Sequence, residues 1–353
     1  AQHRAAPGQL TNAEGHELID QLTSYERPYP MLVLTGGDCF ERPDLVDLIE
    51  YAVDKGLHVS ISPSVTPLFT RERVKAVQDA GVSVMSMSLD GGSAETHDAF
   101  RGFPGTFDRT IEACHMLNEL GMRFQLNTVF TAKNIHEAPQ MLKNAIDLGA
   151  FMFYTFMLVP TGRGQHLDML TPHEREDVLH WLHDNSTRIA IKTTEAPQYR
   201  RIAFQREAVR QGKAAPAKHG ELYHWLTKET HELLGENIEE PRPPRTPLAI
   251  NSGSGFAFID HTGDVYPSGF LPIHCGSIKD TPFPQIYRES EVFRALRNPS
   301  GFEGKCGACE FNHFCGGSRS TAYAMTGNYL ASDPSCAHIP AGYTGELPEG
   351  IER

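Results

Sequence analysis

The apolar positions of the first 165 residues repeat one motif: an amphipathic stretch runs into a glycine, and a short apolar stretch follows at once. The instances are LVDLIEYAVDKG–LHVSIS (45–62), VKAVQDAG–VSVMSMSLD (74–90), IEACHMLNELG–MRFQLNTVF (111–130) and MLKNAIDLG–AFMFYTFMLVP (141–160). The first half of each places apolar residues three and four apart, on one helical face. The glycines, 56, 81, 121 and 149, fit the left-handed position that closes a helix. The second halves are short and partly β-branched, as buried parallel strands are. A further strand, MLVLTGG (31–37), precedes the first unit. Before it, TNAEGHELIDQL (11–22) opens with Thr11 and Glu14 in capping-box spacing and carries Leu18, Ile19 and Leu22 on one face. Repeated βα units predict an α/β fold with a parallel sheet or partial barrel over 1–165. The helix expected at 12–24 has no strand before it, so the pattern predicts a first strand upstream of Ala1.

The pattern then changes. Residues 166–236 are polar and read as mostly helical, and EEPRPPRTP (239–247) reads as a stiff linker. GFAFIDHTGDVYPSG (255–269) reads as a hairpin turning at Thr262, Gly263 and Asp264. These shifts divide the chain into a barrel (1–165), a helical connection with linker (166–247) and a cysteine-bearing C-terminal domain with a polar tail (248–353).

The 353 residues carry a formal charge of −12, which argues against a nucleic-acid partner, since phosphate selects for basic surface. No apolar run is long enough for a membrane span. Seven cysteines, an odd number with four clustered late in the chain, do not form a secreted disulfide framework and fit a reducing cytoplasm.

Those four define the densest chemistry: Cys306-x2-Cys309-x5-Cys315-x20-Cys336. Four thiolates close a [4Fe–4S] cluster or a tetrahedral zinc site. A zinc ribbon usually offers two CxxC knuckles and this segment offers one, which favours iron–sulfur, but spacing alone leaves zinc and unliganded thiols open. Four protein ligands leave no position for substrate, so the site reads as structural or electron-transferring. A second candidate lies where the predicted strands end. LTGGDCF (34–40) supplies Gly36 and Gly37, which let backbone groups approach a ligand, and Asp38, an acceptor for an ammonium. Later strand ends supply Ser60 and Ser62, Ser88 and Asp90, and Asn127. Each alone fits a helix cap; in series they point to a polar ligand at the C-terminal rim, where α/β folds bind ligands. Cys114 reads as core, and Cys39 and Cys275 receive no role.

Together these segments resemble the radical S-adenosylmethionine (SAM) superfamily, and within it the members with a C-terminal SPASM domain. TGGD (35–38) is similar to the glycine–glycine–acid motif that holds the amino group of SAM, and SVMSMSLDGGSAETHDAFRG (83–102) to the family's fourth strand and the loop after it. GKCGACEFNHFCGGSRSTAYAMTGNYLASDPSC (304–336), with VYPSGFLP (265–272), is most similar to the radical SAM proteins of haem d1 and alternative haem biosynthesis. The resemblance covers about 30–170 and 250–340. It implies a partial (β/α)6 TIM-type barrel with a SPASM-like domain. SAM would lie against Gly36, Gly37, Asp38, Ser62, Ser88, Asp90 and Asn127, and an auxiliary [4Fe–4S] cluster on Cys306, Cys309, Cys315 and Cys336. A 5′-deoxyadenosyl radical would abstract hydrogen from a small-molecule or peptide substrate, foremost a tetrapyrrole propionate arm, with a flavodoxin or ferredoxin as reductant. Arg163 and Arg319 are cationic candidates for a substrate carboxylate. Two departures matter. The superfamily's CxxxCxxC is absent, and counting back from Gly36 places it, with the first strand, upstream of Ala1. Ser268 and Arg319 stand where two-cluster SPASM domains have cysteines, so only one auxiliary cluster is expected. The alternatives are a ribosomal-peptide maturase, a scaffold of the same fold without its first cluster, and a zinc-stapled binding protein.

Overall fold

The computed structural model describes residues 7–236 and 250–352; the expected linker at 239–247 and the side chain of Arg163 lie outside the described parts. Helix α1 (Asn12–Leu22) begins at the expected capping box, with the Thr11 amide donating to Glu14 at 2.7 Å and the Glu14 amide to Thr11 at 3.3 Å. Six strands follow: β1 (Leu32–Leu34), β2 (Val59–Ile61), β3 (Val84–Ser88), β4 (Phe124–Phe130), β5 (Met152–Met157) and β6 (Ala190–Thr194). They form one parallel sheet in sequence order. Between them run α2 (Leu45–Asp54), α3 (Arg71–Asp79), α4 (Ala94–Arg101), α5 (Thr106–Glu119), α6 (Ala138–Asp147) and α7 (Pro172–Asn185). Gly56, Gly81, Gly121 and Gly149 all have positive φ at the helix ends, as the repeat requires.

Alternation along the strands separates the two faces of the sheet. Phe124, Leu126 and Phe130 of β4, and Phe153 and Met157 of β5, are buried in the apolar core with the helices. Gln125, Asn127 and Val129, and Met152, Tyr154 and Phe156, point the other way and stay part-exposed.

The stretch 166–236 is mostly helical but also holds strand β6, which the sequence pattern does not mark. AIKTT has neither an apolar run nor clean alternation, so nothing in its pattern marks it; it is a strand because it pairs with β5 from Met152↔Ala190 to Phe156↔Thr194. The sheet therefore continues past the boundary drawn at 165. The rest of that stretch is helical, with α8 (Gln198–Arg210) and α9 (Glu221–Leu234). Buried Trp181 ties α7 to α9 by donating to Thr230 at 2.9 Å.

The C-terminal part opens with the expected hairpin, β7 (Phe258–Ile259) against β8 (Val265–Tyr266), and continues through α10 (Phe283–Glu289), α11 (Glu291–Leu296), α12 (Gly304–Ala308) and α13 (Arg319–Thr326). It packs on the sheet domain: Val265, Phe283, Ile286 and Phe293 share the same core. The Leu10 amide donates to the His261 carbonyl at 2.8 Å, and the Phe283 amide to Gln21 at 2.7 Å. Among the described residues no helix is long and apolar enough to cross a membrane.

Candidate functional site

The four late cysteines converge. Helix α12 carries Cys306, the following turns carry Cys309 and Cys315, and Cys336 returns from beyond α13; all four line one small cavity together with Arg201, Lys305 and His338. Burial pushes the Cys309 thiol up to about 11, the Cys336 thiol up to about 12, and Cys315 higher still. Thiols raised in this way ionise together only when a cation binds them, so the donor set fits a metal centre. The surroundings fit ligating sulfur as well. The Asp333 amide and Arg319 Nη2 donate to Cys306 Sγ at 3.3 and 3.5 Å, and the Phe311 amide to Cys309 Sγ at 3.5 Å. Lys305, 2% exposed, donates to the Cys336 carbonyl. Arg201, also buried, pairs with Glu176 at 2.5 Å. Gly317 lets the chain pass close to Cys306. A Cβ on it would lie 3.0 Å from that sulfur and 2.7 Å from both Arg319 Nη2 and Asp333 Cβ. Cys309, Glu310 and His338 also approach one another, but His338 and Glu310 hold each other at 3.1 Å at the edge of the cavity.

The strand-end residues divide into two groups. Gly36, Gly37, Ser62 and Ser88 stand at the rim, whereas Asn127, expected at a strand end, lies in the middle of the seven-residue β4, beside Ser88 in register. The side chains of Ser62 and Ser88 make no hydrogen bond among the described residues, and Asn127 only accepts from Gln125, at 2.9 Å. Asp38 and Asp90 differ from the expectation of open ligand groups. Asp38 accepts from the amides of Phe40 and Ser64 at 3.1 and 3.3 Å and from Thr66 Oγ1 at 2.6 Å, starting a turn and fixing the next loop. Asp90, 1% exposed, accepts from the Val129 amide at 2.8 Å and pairs with Arg101. Both carboxylates are committed to protein and position the rim. Ser60 is buried on β2. Cys39 is buried beside Asp38, its thiol pushed up to about 12 by burial and then by that carboxylate; Cys114 is core; Cys275 does not line the thiol cavity.

Three features escape the sequence reading. The row Ser88–Asn127 continues across the sheet through Tyr154 to Lys192. Phe156 on β5 meets Phe270, from the loop after β8, edge to face at 6.4 Å. Glu195, just past β6, is the one non-glycine with positive φ (57°) among the described residues. Its carboxylate accepts from Ser318 at 2.6 Å, Ser320 at 3.0 Å and Ser268 at 3.5 Å, and burial pushes it above the usual carboxylate range. Hydroxyls around a carboxyl thus stand at Ser268. Arg319 instead turns to Cys306 and to the carbonyls of Tyr329 and Ala331, at 3.1 and 2.8 Å, so it is an internal strut and not a free cation for a substrate.

Residues 4–145 match the Radical SAM superfamily. The chain is 39% identical over 336 residues to the AdoMet-dependent heme synthase of Methanosarcina barkeri, covering 94% of this chain and 89% of that protein. It is 28% identical over 350 residues to the pre-heme d1 synthase of Dinoroseobacter shibae, covering 96% and 81%. Streptococcus suis SuiB bound to S-adenosylmethionine superposes with a TM-score of 0.63 at 12% identity, over 93% of this chain and 71% of SuiB.

Proposed function

The chain belongs to the radical SAM superfamily, and from that premise we propose that it acts on a carboxylate side chain of a haem-type tetrapyrrole. The observation that supports the substrate is the 39% identity to a heme synthase across nearly the whole chain. We assign the thiol cavity to an auxiliary [4Fe–4S] cluster held by Cys306, Cys309, Cys315 and Cys336; the four convergent thiols and their N–H donors support it. Bound cofactors would supply the redox chemistry: SAM, on taking one electron from the reductant, would give methionine and a 5′-deoxyadenosyl radical able to take a hydrogen atom from the substrate, and an acceptor would receive the electron released when the carboxyl group is lost.

The protein's own share is placement. Gly36 and Gly37 leave backbone groups accessible to the amino-acid end of SAM, and Ser62, Ser88 and Asn127 offer hydroxyl and amide groups with spare hydrogen-bonding capacity. Asp38 and Asp90 keep those groups in register by tying the strand ends to neighbouring loops. Arg319 and the amides of Asp333 and Phe311 stabilise negative charge on the sulfurs. An odd number of cysteines, four of them grouped around one cavity, supports a reducing cytoplasm, and a flavodoxin or ferredoxin is the electron source we assign.

The test uses the full-length protein, reconstituted anaerobically with iron and sulfide and supplied with SAM, a reductant and iron coproporphyrin, a porphyrin with four propionate arms. Production of 5′-deoxyadenosine together with porphyrin lighter by one or more carboxyl groups is expected. Deoxyadenosine with an unaltered porphyrin would overturn the substrate assignment. A Cys315→Ala, Cys336→Ala double variant with undiminished iron would overturn the cluster assignment.

A further inference from the structure

The open face of the sheet is chemically divided. Its β2–β4 half presents small polar groups: Ser62, Ser86, Ser88, Gln125 and Asn127. Its β5–β6 half presents rings and a cation. Tyr154 and Phe156 alternate on β5 with the buried Phe153, Thr155 and Met157, so both rings face away from the helices. Lys192 is directly opposite Tyr154 in the β5–β6 register, and its ammonium lies 4.7 Å from the ring centroid. Lys192 is the exposed residue of β6, and its ammonium has no carboxylate partner among the described residues. Tyr154 is steadied from beside by a hydroxyl contact with Thr194. Phe270, 37% exposed, comes from the C-terminal part and closes the corner above Phe156. Its position is fixed, because its amide donates to Ser268 Oγ at 3.1 Å and Ser268 in turn reaches Glu195.

We infer that Tyr154, Phe156, Phe270 and Lys192 form the substrate subsite: a shelf for a flat, aromatic, carboxylate-bearing macrocycle. The rings offer faces and edges for stacking, and Lys192 offers an unpaired charge for one carboxylate arm. The row Ser88–Asn127–Tyr154–Lys192 spans three strand spacings, roughly 14 Å. A macrocycle on Tyr154 and Phe156 therefore has its edge at Asn127, the border of the polar half that suits SAM. A peptide is commonly taken up along a strand edge or into a groove, whereas Tyr154 and Phe156 stand on β5, which is paired on both sides and offers rings on its face and no free edge. The inference rests on the tetrapyrrole reading and deepens it by naming where the ring lies.

The test is a pair of titrations of the reconstituted full-length enzyme, followed by porphyrin absorbance: one with free-base coproporphyrin, the other with its tetramethyl ester. In Lys192→Gln the tetra-acid should bind about tenfold more weakly while the ester binds as to wild type, and Lys192→Arg should restore the tetra-acid. Phe270→Ala should weaken both ligands, with iron content unchanged in every variant. If wild type binds and converts the porphyrin but Lys192→Gln and Phe270→Ala bind the tetra-acid as tightly, the shelf is wrong and the tetrapyrrole reading stands. If wild type neither binds nor converts the porphyrin, both fail together.

Discussion

Gly317 offers the most direct test of how tightly the cysteine centre is built. It has φ +68°, and a Cβ there would meet Arg319 Nη2 and Asp333 Cβ at 2.7 Å and Cys306 Sγ at 3.0 Å. Gly121 is its control: φ is +66°, and nothing lies within 4 Å of its Cβ position. Alanine at either site takes on the left-handed strain of an L-residue, about 1–2 kcal/mol. At 317 the overlap adds about 1–3 kcal/mol, the usual cost of overpacking. The neighbours have nowhere to go, because Arg319 and Asp333 are both fully buried and held by hydrogen bonds on several sides. Gly317→Ala should therefore lose about 2–5 kcal/mol and Gly121→Ala about 1–2 kcal/mol. Because the crowded atoms include a sulfur assigned above to the proposed cluster, the first should also lose bound iron. Denaturant midpoints under anaerobic conditions and iron per chain measure both effects. Equal midpoints with full iron in both variants would refute the close-approach argument.

Two further predictions follow from buried charge. Arg319→Gln removes a cation and a donor to Cys306 Sγ, at 3.5 Å, which favours the more negative, reduced state of a bound cluster; its midpoint potential in an EPR-monitored titration should move in the negative direction, and an unchanged potential would remove Arg319 from that role. Burial, and next Arg206, lower His183 from an ordinary 6.5 to about 4. The unfolded chain then takes up the proton first, so this contribution is full above about pH 6.5 and is lost as pH falls toward 4, about 1–2 kcal/mol between pH 7 and 5. His183→Asn should flatten that part of the pH dependence of the denaturation midpoint; an unaltered slope counts against it.

The βα repeat was legible because its strands are apolar and each helix closes on a glycine, so period and punctuation agree. The convergence of the four thiols was legible because three of them sit within ten residues. β6 was not, since AIKTT becomes a strand only through pairing with β5. The shelf was hidden for the same reason: Tyr154 and Lys192 are neighbours only once the register is known, and Phe270 arrives from a remote loop. Asp38 and Asp90 looked like ligand groups because their partners, Thr66, Val129 and Arg101, belong to other segments. The buried carboxyl at Glu195 has no sequence signature, because the serines that surround it come from more than 70 positions away.

The anchoring of β6 bears on how the chain is made. β6 is an edge strand of the sheet with little apolar content. What holds its end and α8 comes late: Ser268, Ser318 and Ser320 on Glu195, Asp333 accepting from Gln198 at 2.6 Å, and the Phe314 carbonyl accepting from Arg200. During synthesis the sheet therefore waits with an unfinished edge until nearly all of the chain has emerged, the condition under which strands pair wrongly with other chains. The segment that ends this wait is the one that carries Cys306, Cys309 and Cys315, so the thiol cavity takes shape in the same late step that anchors the end of β6 and α8.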